Sequence, residues 1–276
     1  MTSKQDTRFA KTLVVDSELD SYKELFDFDW AKAFTKVTDN KAIREPAWNL
    51  TLSWRGVGNC FRLPWLMANQ TRGVIKGFLS HNPPNGPGAL RAVAARLERD
   101  LAGRISHDQA QLVLNLVSQM SEEAKLFSPR TLELIDVEEV WRTNMTQPEM
   151  KLSVWGSQQV CYSAIFFAYE AFLLDILRIK TGDAALRLWA HNAEDLFVSN
   201  FGRRTYETVW ADEAINIARL ARNAIAHNGA GETDQLKAVS HGIPVAEGRL
   251  HIMPDHNKAL MNLLKNASMK LAKNYK

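Results

Sequence analysis

The segment 153–180 constrains the fold most, because it is apolar almost all the way round a helix. Its hydrophobic side chains are those of Val160, Ala164, Ile165, Phe167, Ala168, Ala171, Phe172, Leu174, Ile176 and Leu177. A helix without a wide polar face is buried on more than one side, within a bundle or between subunits. The most apolar run, Val160 to Leu174, is shorter than the roughly 20 residues of a membrane-spanning helix and contains Glu170. We therefore expect the central helix of a helical bundle and no membrane partner.

The following residues predict the second helix of a four-helix up-and-down bundle. Gly182 is suited to end the first helix, because glycine commonly follows a helix C-terminus. Asp183 is suited to cap the next helix, because its carboxylate can accept backbone N–H bonds. The apolar residues expected on this second helix are Ala184, Leu186, Leu188, Trp189 and Leu196.

A β-hairpin is predicted between the third and fourth helices of this bundle. The third helix begins near Tyr206 or Asp212 and ends in the glycine-containing stretch after His227. Residues 243–253 then hold two short apolar stretches on either side of a turn at Glu247 and Gly248. The last helix is amphipathic, with apolar residues Leu260, Leu263, Leu264, Ala267, Met269 and Leu271.

The N-terminal half, residues 1–150, is predicted to be mostly helical and separate from the bundle domain, residues 151–276. It contains a proline-rich break at 81–88, followed by a helical stripe of apolar residues at 90–101. One short strand pair is a further expectation, based on the alternating residues Trp48, Leu50, Leu52 and Trp54. This alternation favours a strand, although a buried helical turn accommodates the same residues. The class expected for the whole chain is mainly α.

Charge, cysteine content and the first residues indicate which partners and which cellular location to expect. The net charge of +3 is compatible with RNA binding but does not by itself argue for it. Cys60 and Cys161 are far apart in sequence and give neither a disulfide framework nor a metal-ligand spacing. The missing ligand spacing leads us to expect no metal ion. No dinucleotide-binding fingerprint is present, so we also expect no cofactor. The polar residues 1–6 lead into no apolar stretch, which indicates a cytoplasmic protein.

The end of the third helix carries the candidate catalytic residues Arg222, Asn223 and His227. Asn223 and His227 are four residues apart and share a helix face, so the amide can orient the imidazole by a hydrogen bond. Arg222 supplies a planar cation suited to phosphate oxygens. Metal-independent RNA cleavage needs little more, because the ribose 2′-OH is the nucleophile and the protein supplies proton transfer and charge stabilisation.

A structural interpretation of the same residues stands beside the catalytic one. His227 and Asn228 can simply end the helix, and Arg222 can pair with an acidic residue on a neighbouring element. Glu170 needs such a partner, because an unpaired carboxylate is costly to bury within an apolar helix. We expect Arg222 to be that partner, and both a structural pair and a supporting catalytic role fit Glu170.

The segment from Ala221 to Gly229 resembles the signature of the HEPN superfamily. In that signature an arginine, followed by a polar residue such as asparagine, precedes a histidine at the end of a bundle helix. The long apolar helix with Tyr169–Phe172 and the hairpin before the last helix are also similar to the family. The resemblance covers about residues 151–276 and does not extend to residues 1–150.

The resemblance implies an all-α domain that usually forms a homodimer, with both arginine–histidine pairs in one cleft. Many members are metal-independent endoribonucleases of toxin, phage-defence or RNA-processing systems, and an inhibitor or antitoxin protein is a further expected partner. By this analogy Arg222 stabilises the transition state, His227 acts as general acid or base, and Asn223 orients it. The alternatives are a non-catalytic dimerisation or partner-binding module and a binder of small nucleotides. Arg203 and Arg204 are the expected additional phosphate contacts.

Overall fold

The computed structural model describes residues 19–39, 41–67 and 148–275 and scattered positions between 69 and 119. Over these residues the protein is mainly helical, with one antiparallel strand pair before the last helix, which confirms the predicted class. The helices are α1 (Phe28–Thr38), α2 (Arg44–Phe61), α3 (Pro148–Thr181), α4 (Ala193–Phe201), α5 (Arg203–Val209), α6 (Glu213–His227), α7 (Asp234–Lys237) and α8 (Pro254–Asn274). The strands are β1 (Val245–Ala246) and β2 (Arg249–Leu250), and a 3₁₀ turn covers Leu19–Tyr22.

The chain forms two compact units. The first unit combines Met1–Trp65 with Met145–Lys276, and the second is Leu66–Asn144. Few residues of the second unit are described; Leu112 and Leu116 there are helical and exposed. The predicted break at 81–88 and helical stripe at 90–101 lie outside the described residues. Within the first unit α1 packs on α2 and α8, and α2 packs on α3.

The predicted strand around residue 50 is wrong, because these residues lie within helix α2. Its buried face includes Ala47, Leu50, Trp54 and Phe61, which follow one another at helical spacings. Leu50 and Trp54 are four residues apart and fit either periodicity, which is why alternation misled the prediction. The indole Nε1 of Trp54 donates a hydrogen bond of 3.0 Å to the Ile165 carbonyl and so fixes α2 on α3.

Helix α3 is the central helix of the first unit, as expected. It packs against α2, α6 and α8, and its fully buried side chains include Ile165, Tyr169 and Leu173. The stretch Leu152–Thr181, longer than the apolar run considered from sequence, is long and apolar enough to cross a membrane by length and composition. Half of its most apolar window is buried inside the protein. The buried half of this window is used for internal packing.

The predicted second helix is wrong over residues 184–192, which form irregular turns before α4. The Asp183 carboxylate accepts a 2.8 Å bond from the Ala185 N–H, and the Arg178 Nε donates to the Leu186 carbonyl. The Asn192 side chain accepts a 2.8 Å bond from the Trp189 N–H. Side-chain bonds of this kind compete with helical backbone bonds, so the chain makes turns instead.

The third helix and the hairpin follow the sequence prediction closely. Asp212 caps α6 by accepting bonds from the Ala214 and Ile215 N–H groups, at 3.0 and 3.2 Å. The helix ends at His227, and the Ala230 N–H bonds back 3.0 Å to the Ala224 carbonyl. In the hairpin, β1 and β2 are joined by a turn at Glu247–Gly248, where both residues have positive φ.

Asp27 joins α1 to α8 and gives a first testable prediction. Its carboxylate accepts bonds from the Asp29 and Trp30 N–H groups, at 3.0 and 2.9 Å, and lies 3.3 Å from the buried Lys265 ammonium. The Trp30 N–H bond and the Lys265 charge lower the pKa of Asp27. We expect Asp27→Ala to lower the free energy of unfolding in urea by about 1–2 kcal/mol, because the helix cap is lost.

Asp27→Asn is the matched variant, since asparagine retains the cap and removes the charge; it should cost less than alanine. A carboxyl whose pKa is lowered by folding stabilises the protein above its unfolded pKa, about 4, and this contribution is lost as the pH falls further. The difference between wild type and Asp27→Ala should therefore shrink towards about pH 3. Equal losses for the alanine and asparagine variants at neutral pH would contradict the capping role.

Candidate active-site cleft

The predicted catalytic residues line a single cleft of about 670 Å³ in the first unit. Arg222, Asn223 and His227 come from α6, and Glu170 faces them from α3. The irregular segment before α4 contributes Trp189 to another wall. The structure thus brings three different elements around the motif, and the sequence-predicted residues Arg222, Asn223, His227 and Glu170 lie together.

Helical spacing explains why these α6 residues share the cleft. The buried face of α6 carries small and aliphatic side chains that pack in the bundle, namely Ile215, Ala218, Ala221 and Ala224. Arg222 follows Ala218 by four residues and is itself buried on this face, whereas Asn223 and His227, four residues apart, lie on the adjoining, less buried face. The packing of the stripe therefore orients the motif towards α3 and the cleft.

Arg222 is buried at the base of the cleft and paired with Glu170. Its Nη2 donates a hydrogen bond to Glu170 Oε2, which confirms the expected partner. The guanidinium carbon also lies 4.6 Å from the ring centroid of Phe167 and 5.4 Å from that of Phe166. The Arg222 Nε is buried without a hydrogen-bond partner in the described part of the chain. One edge of the guanidinium is thus fixed, and donor capacity remains.

Glu170 is subject to two opposing electrostatic effects. Burial raises the pKa of Glu170 above its usual value, while the charges of Arg222 and Arg219 act in the opposite direction. Its side chain is 22% exposed, so water reaches the carboxylate from the cleft. The pair leaves the cleft less cationic than its two arginines alone would make it.

His227 differs from Arg222 in being exposed at the mouth of the cleft. Its imidazole makes no hydrogen bond or ion pair with any residue that the structure describes. In particular, the hydrogen bond expected from Asn223 does not form, although Asn223 lines the same cleft. Both ring nitrogens are therefore accessible to a bound molecule, as proton transfer requires.

Arg219 is a second cleft cation that the sequence analysis did not identify. Its Nη2 donates a 2.6 Å bond to Asn216 Oδ1, and its guanidinium carbon lies 4.8 Å from the Trp210 ring centroid. Its Nη1 is buried and has no hydrogen-bond partner among the residues that the structure describes. Burial lowers the pKa of Arg219, yet arginine remains charged at neutral pH. Its position three residues before Arg222 on the same helix is the signal that could have revealed it.

Arg203 and Arg204, the expected phosphate contacts, do not line the cleft. The Arg203 guanidinium donates to the carboxylates of Glu194 and, at 3.2 Å, Glu207. Arg204 is exposed at the start of α5. The cations that do line this cleft are Arg219 and Arg222.

The cleft combines an exposed imidazole with two partly unsatisfied guanidinium groups. This set suits an anionic ligand whose reaction involves proton transfer. Within the described residues, no group of three or more histidine, cysteine, aspartate or glutamate side chains is arranged to hold a metal ion. No protein-family model, curated protein or solved structure matches the chain.

Proposed function

We propose that this protein is a metal-independent endoribonuclease of HEPN type that cleaves RNA through its own 2′-OH. The observation that carries the proposal is the exposed His227, which has no bond to any described residue, at the mouth of a cleft that contains Arg219 and Arg222. A phosphodiester is anionic, and its cleavage by the neighbouring hydroxyl requires proton transfers and stabilisation of the extra negative charge. These are the functions that imidazole and guanidinium groups supply.

The reaction is a transesterification at phosphorus. The 2′-oxygen bonds to phosphorus as its proton leaves to a base, and the bond to the 5′-oxygen of the next nucleotide breaks as that oxygen gains a proton. The products carry a 2′,3′-cyclic phosphate and a 5′-hydroxyl. His227 takes or gives a proton, and the two arginines stabilise the charge on the phosphoryl oxygens.

Among the described residues that line the cleft, His227 is the one imidazole, whereas the reaction uses both a base and an acid. A homodimer resolves this difference, because a two-fold axis beside the cleft brings a second His227 to the same substrate. The exposed face of α3 supports such pairing. Val160, Ala164, Phe167, Ala171 and Leu174 follow at alternating spacings of four and three, the repeat of helix–helix seams. The last three of them also line the cleft, so a partner on this stripe would adjoin the motif.

RNA cleavage by the purified protein in EDTA tests the proposed activity. We expect single-stranded RNA to be cut to fragments with 2′,3′-cyclic phosphate ends, identified by mass spectrometry. His191→Ala should cleave like wild type, because His191 is an exposed histidine of the same unit that does not line the cleft. Absence of cleavage across RNAs of several sequences and structures would overturn the endoribonuclease proposal.

The proposed dimer implies that a charge introduced into the apolar stripe of α3 disrupts both dimerisation and cleavage. Val160 is 68% exposed, so Val160→Glu should leave the fold intact while introducing a charge into the apolar stripe. We expect wild type to have twice the chain mass of 31.2 kDa by light scattering, and the variant to shift towards the monomer and lose cleavage. Ile179→Glu is the control, since Ile179 is an exposed aliphatic residue of α3 away from the stripe. A monomeric, active wild type would contradict the composite site.

A non-catalytic partner- or nucleotide-binding module is the second candidate, and the Arg222–Glu170 pair favours it. In that function Arg222 has a structural role, and the cleft binds its ligand without catalysing a reaction. RNA or nucleotide binding without cleavage would support this candidate.

For the first candidate, the resemblance to HEPN proteins extends the proposal to a cytoplasmic toxin or phage-defence enzyme with an inhibitor or antitoxin protein as partner.

A further inference from the structure

Trp189 lines the cleft and is unusually exposed for so large an apolar side chain. It is 54% exposed, and it lines the same cleft as Arg219, Arg222 and His227. Its indole makes no hydrogen bond, ring contact or cation contact with the side chains that the structure describes. A free aromatic face beside two cations is therefore presented to solvent.

The backbone around Trp189 is held in place by hydrogen bonds at both ends of its turn. The Trp189 N–H donates to Asn192 Oδ1 at 2.8 Å, and the Trp189 carbonyl accepts bonds from the Asn192 and Ala193 N–H groups at 3.2 and 3.0 Å. The Asn192 amide also donates 2.9 Å to the Arg187 carbonyl. These bonds fix the point from which the indole projects and limit the entropy lost when a ligand stacks on it.

We infer that Trp189 is a stacking platform for one unpaired nucleobase of the RNA bound in the cleft, and so selects single-stranded substrate. The inference rests on the proposed function and specifies its substrate class. The cleft arginines bind the phosphate and the indole stacks on the base, and every nucleotide carries both groups. Bases inside a duplex are already stacked on their neighbours and cannot lie on the indole, whereas bases of a single strand can.

Binding of a short 2′-O-methyl RNA measures this role apart from cleavage, because the blocked 2′-oxygen cannot attack phosphorus. We expect Trp189→Ala to weaken binding of the single strand roughly 5- to 150-fold, the range of one lost base stack. Trp189→Phe should retain most of the affinity. Trp48→Ala is the matched control, since Trp48 is 55% exposed, lies on α2 and does not line the cleft. It should bind like wild type.

Two further ligands sharpen the test. An abasic oligonucleotide should bind equally to wild type and Trp189→Ala, and a duplex should bind wild type more weakly than the single strand. Equal affinities of wild type and Trp189→Ala for the single strand would overturn the inference, and so would an equal loss for the abasic strand. A shift of Trp189→Ala to the monomer would overturn it too, by assigning Trp189 to a subunit interface. Trp189-dependent binding without any RNA cleavage would retain the platform and reject the endoribonuclease.

Discussion

Replacing His227 with alanine is expected to lower the rate of RNA cleavage about 10²- to 10⁴-fold, the usual contribution of a general acid or base. Stability should change by less than about 0.5 kcal/mol, because the imidazole is exposed and makes no bond within the described chain. Single-turnover cleavage at saturating protein measures the chemical step, and urea unfolding measures the stability. The combination separates loss of chemistry from loss of folding.

His191→Ala serves again as the control and should match wild type in both measurements. A His227→Ala variant that folds normally and cleaves at the wild-type rate would remove His227 from the mechanism. Within the described residues, the cleft would then retain the two arginines with buried unpartnered donors, Arg219 and Arg222, and the binding-module candidate would take precedence.

Replacing Glu170 with alanine is expected to destabilise the protein by about 2–4 kcal/mol. The substitution removes the carboxylate that accepts from Arg222 Nη2 and leaves a buried guanidinium without its partner. Breaking a buried ion pair from one side usually costs about 3–5 kcal/mol, and access of water to Glu170 reduces that figure. Urea unfolding monitored by circular dichroism gives the free energy directly.

Asp175→Ala on the same helix is the matched control for Glu170→Ala. Asp175 pairs with Arg178 at 3.6 Å, and both side chains are more than a third exposed, so its loss should cost less than about 1 kcal/mol. The double variant Glu170→Met with Arg222→Met should be more stable than Glu170→Ala, because it removes both charges and leaves no unpaired ion. Similar small losses for Glu170→Ala and Asp175→Ala would show that water already screens the cleft pair.

The sequence predicted the elements whose periodicity is long and unambiguous. Helix α3 is apolar over many turns, α6 begins at an acidic cap, and β1 and β2 flank a glycine turn, so local chemistry and tertiary packing favour the same structure. The predictions for residues 48–54 and 184–192 were wrong for identifiable reasons. A spacing of four fits both a helix and a strand, and side-chain bonds of Asp183 and Asn192 favour turns over a helix.

The candidate site was predicted where its residues are close in sequence or where a buried charge needs a partner. Arg222, Asn223 and His227 share one helix, and the need of a buried carboxylate for a partner linked Glu170 to them. Trp189 could not be placed in the same way, because it was assigned to a helix that does not form. Its position at the cleft depends on how the turn before α4 returns to α3, which is a tertiary property that spacing does not contain.

The packing of the first helices on the last one determines when during synthesis this part of the fold can form. The Trp30 indole donates to the Lys265 carbonyl, and the Lys41 ammonium donates to the Ala272 and Tyr275 carbonyls. These contacts join residues more than 230 positions apart in the chain. Because chains emerge from the ribosome starting at the N-terminus, α1 cannot dock until α8 has been made. The first unit therefore completes its fold only after residues 254–274 have been synthesised, long after α1 and α2 have left the ribosome.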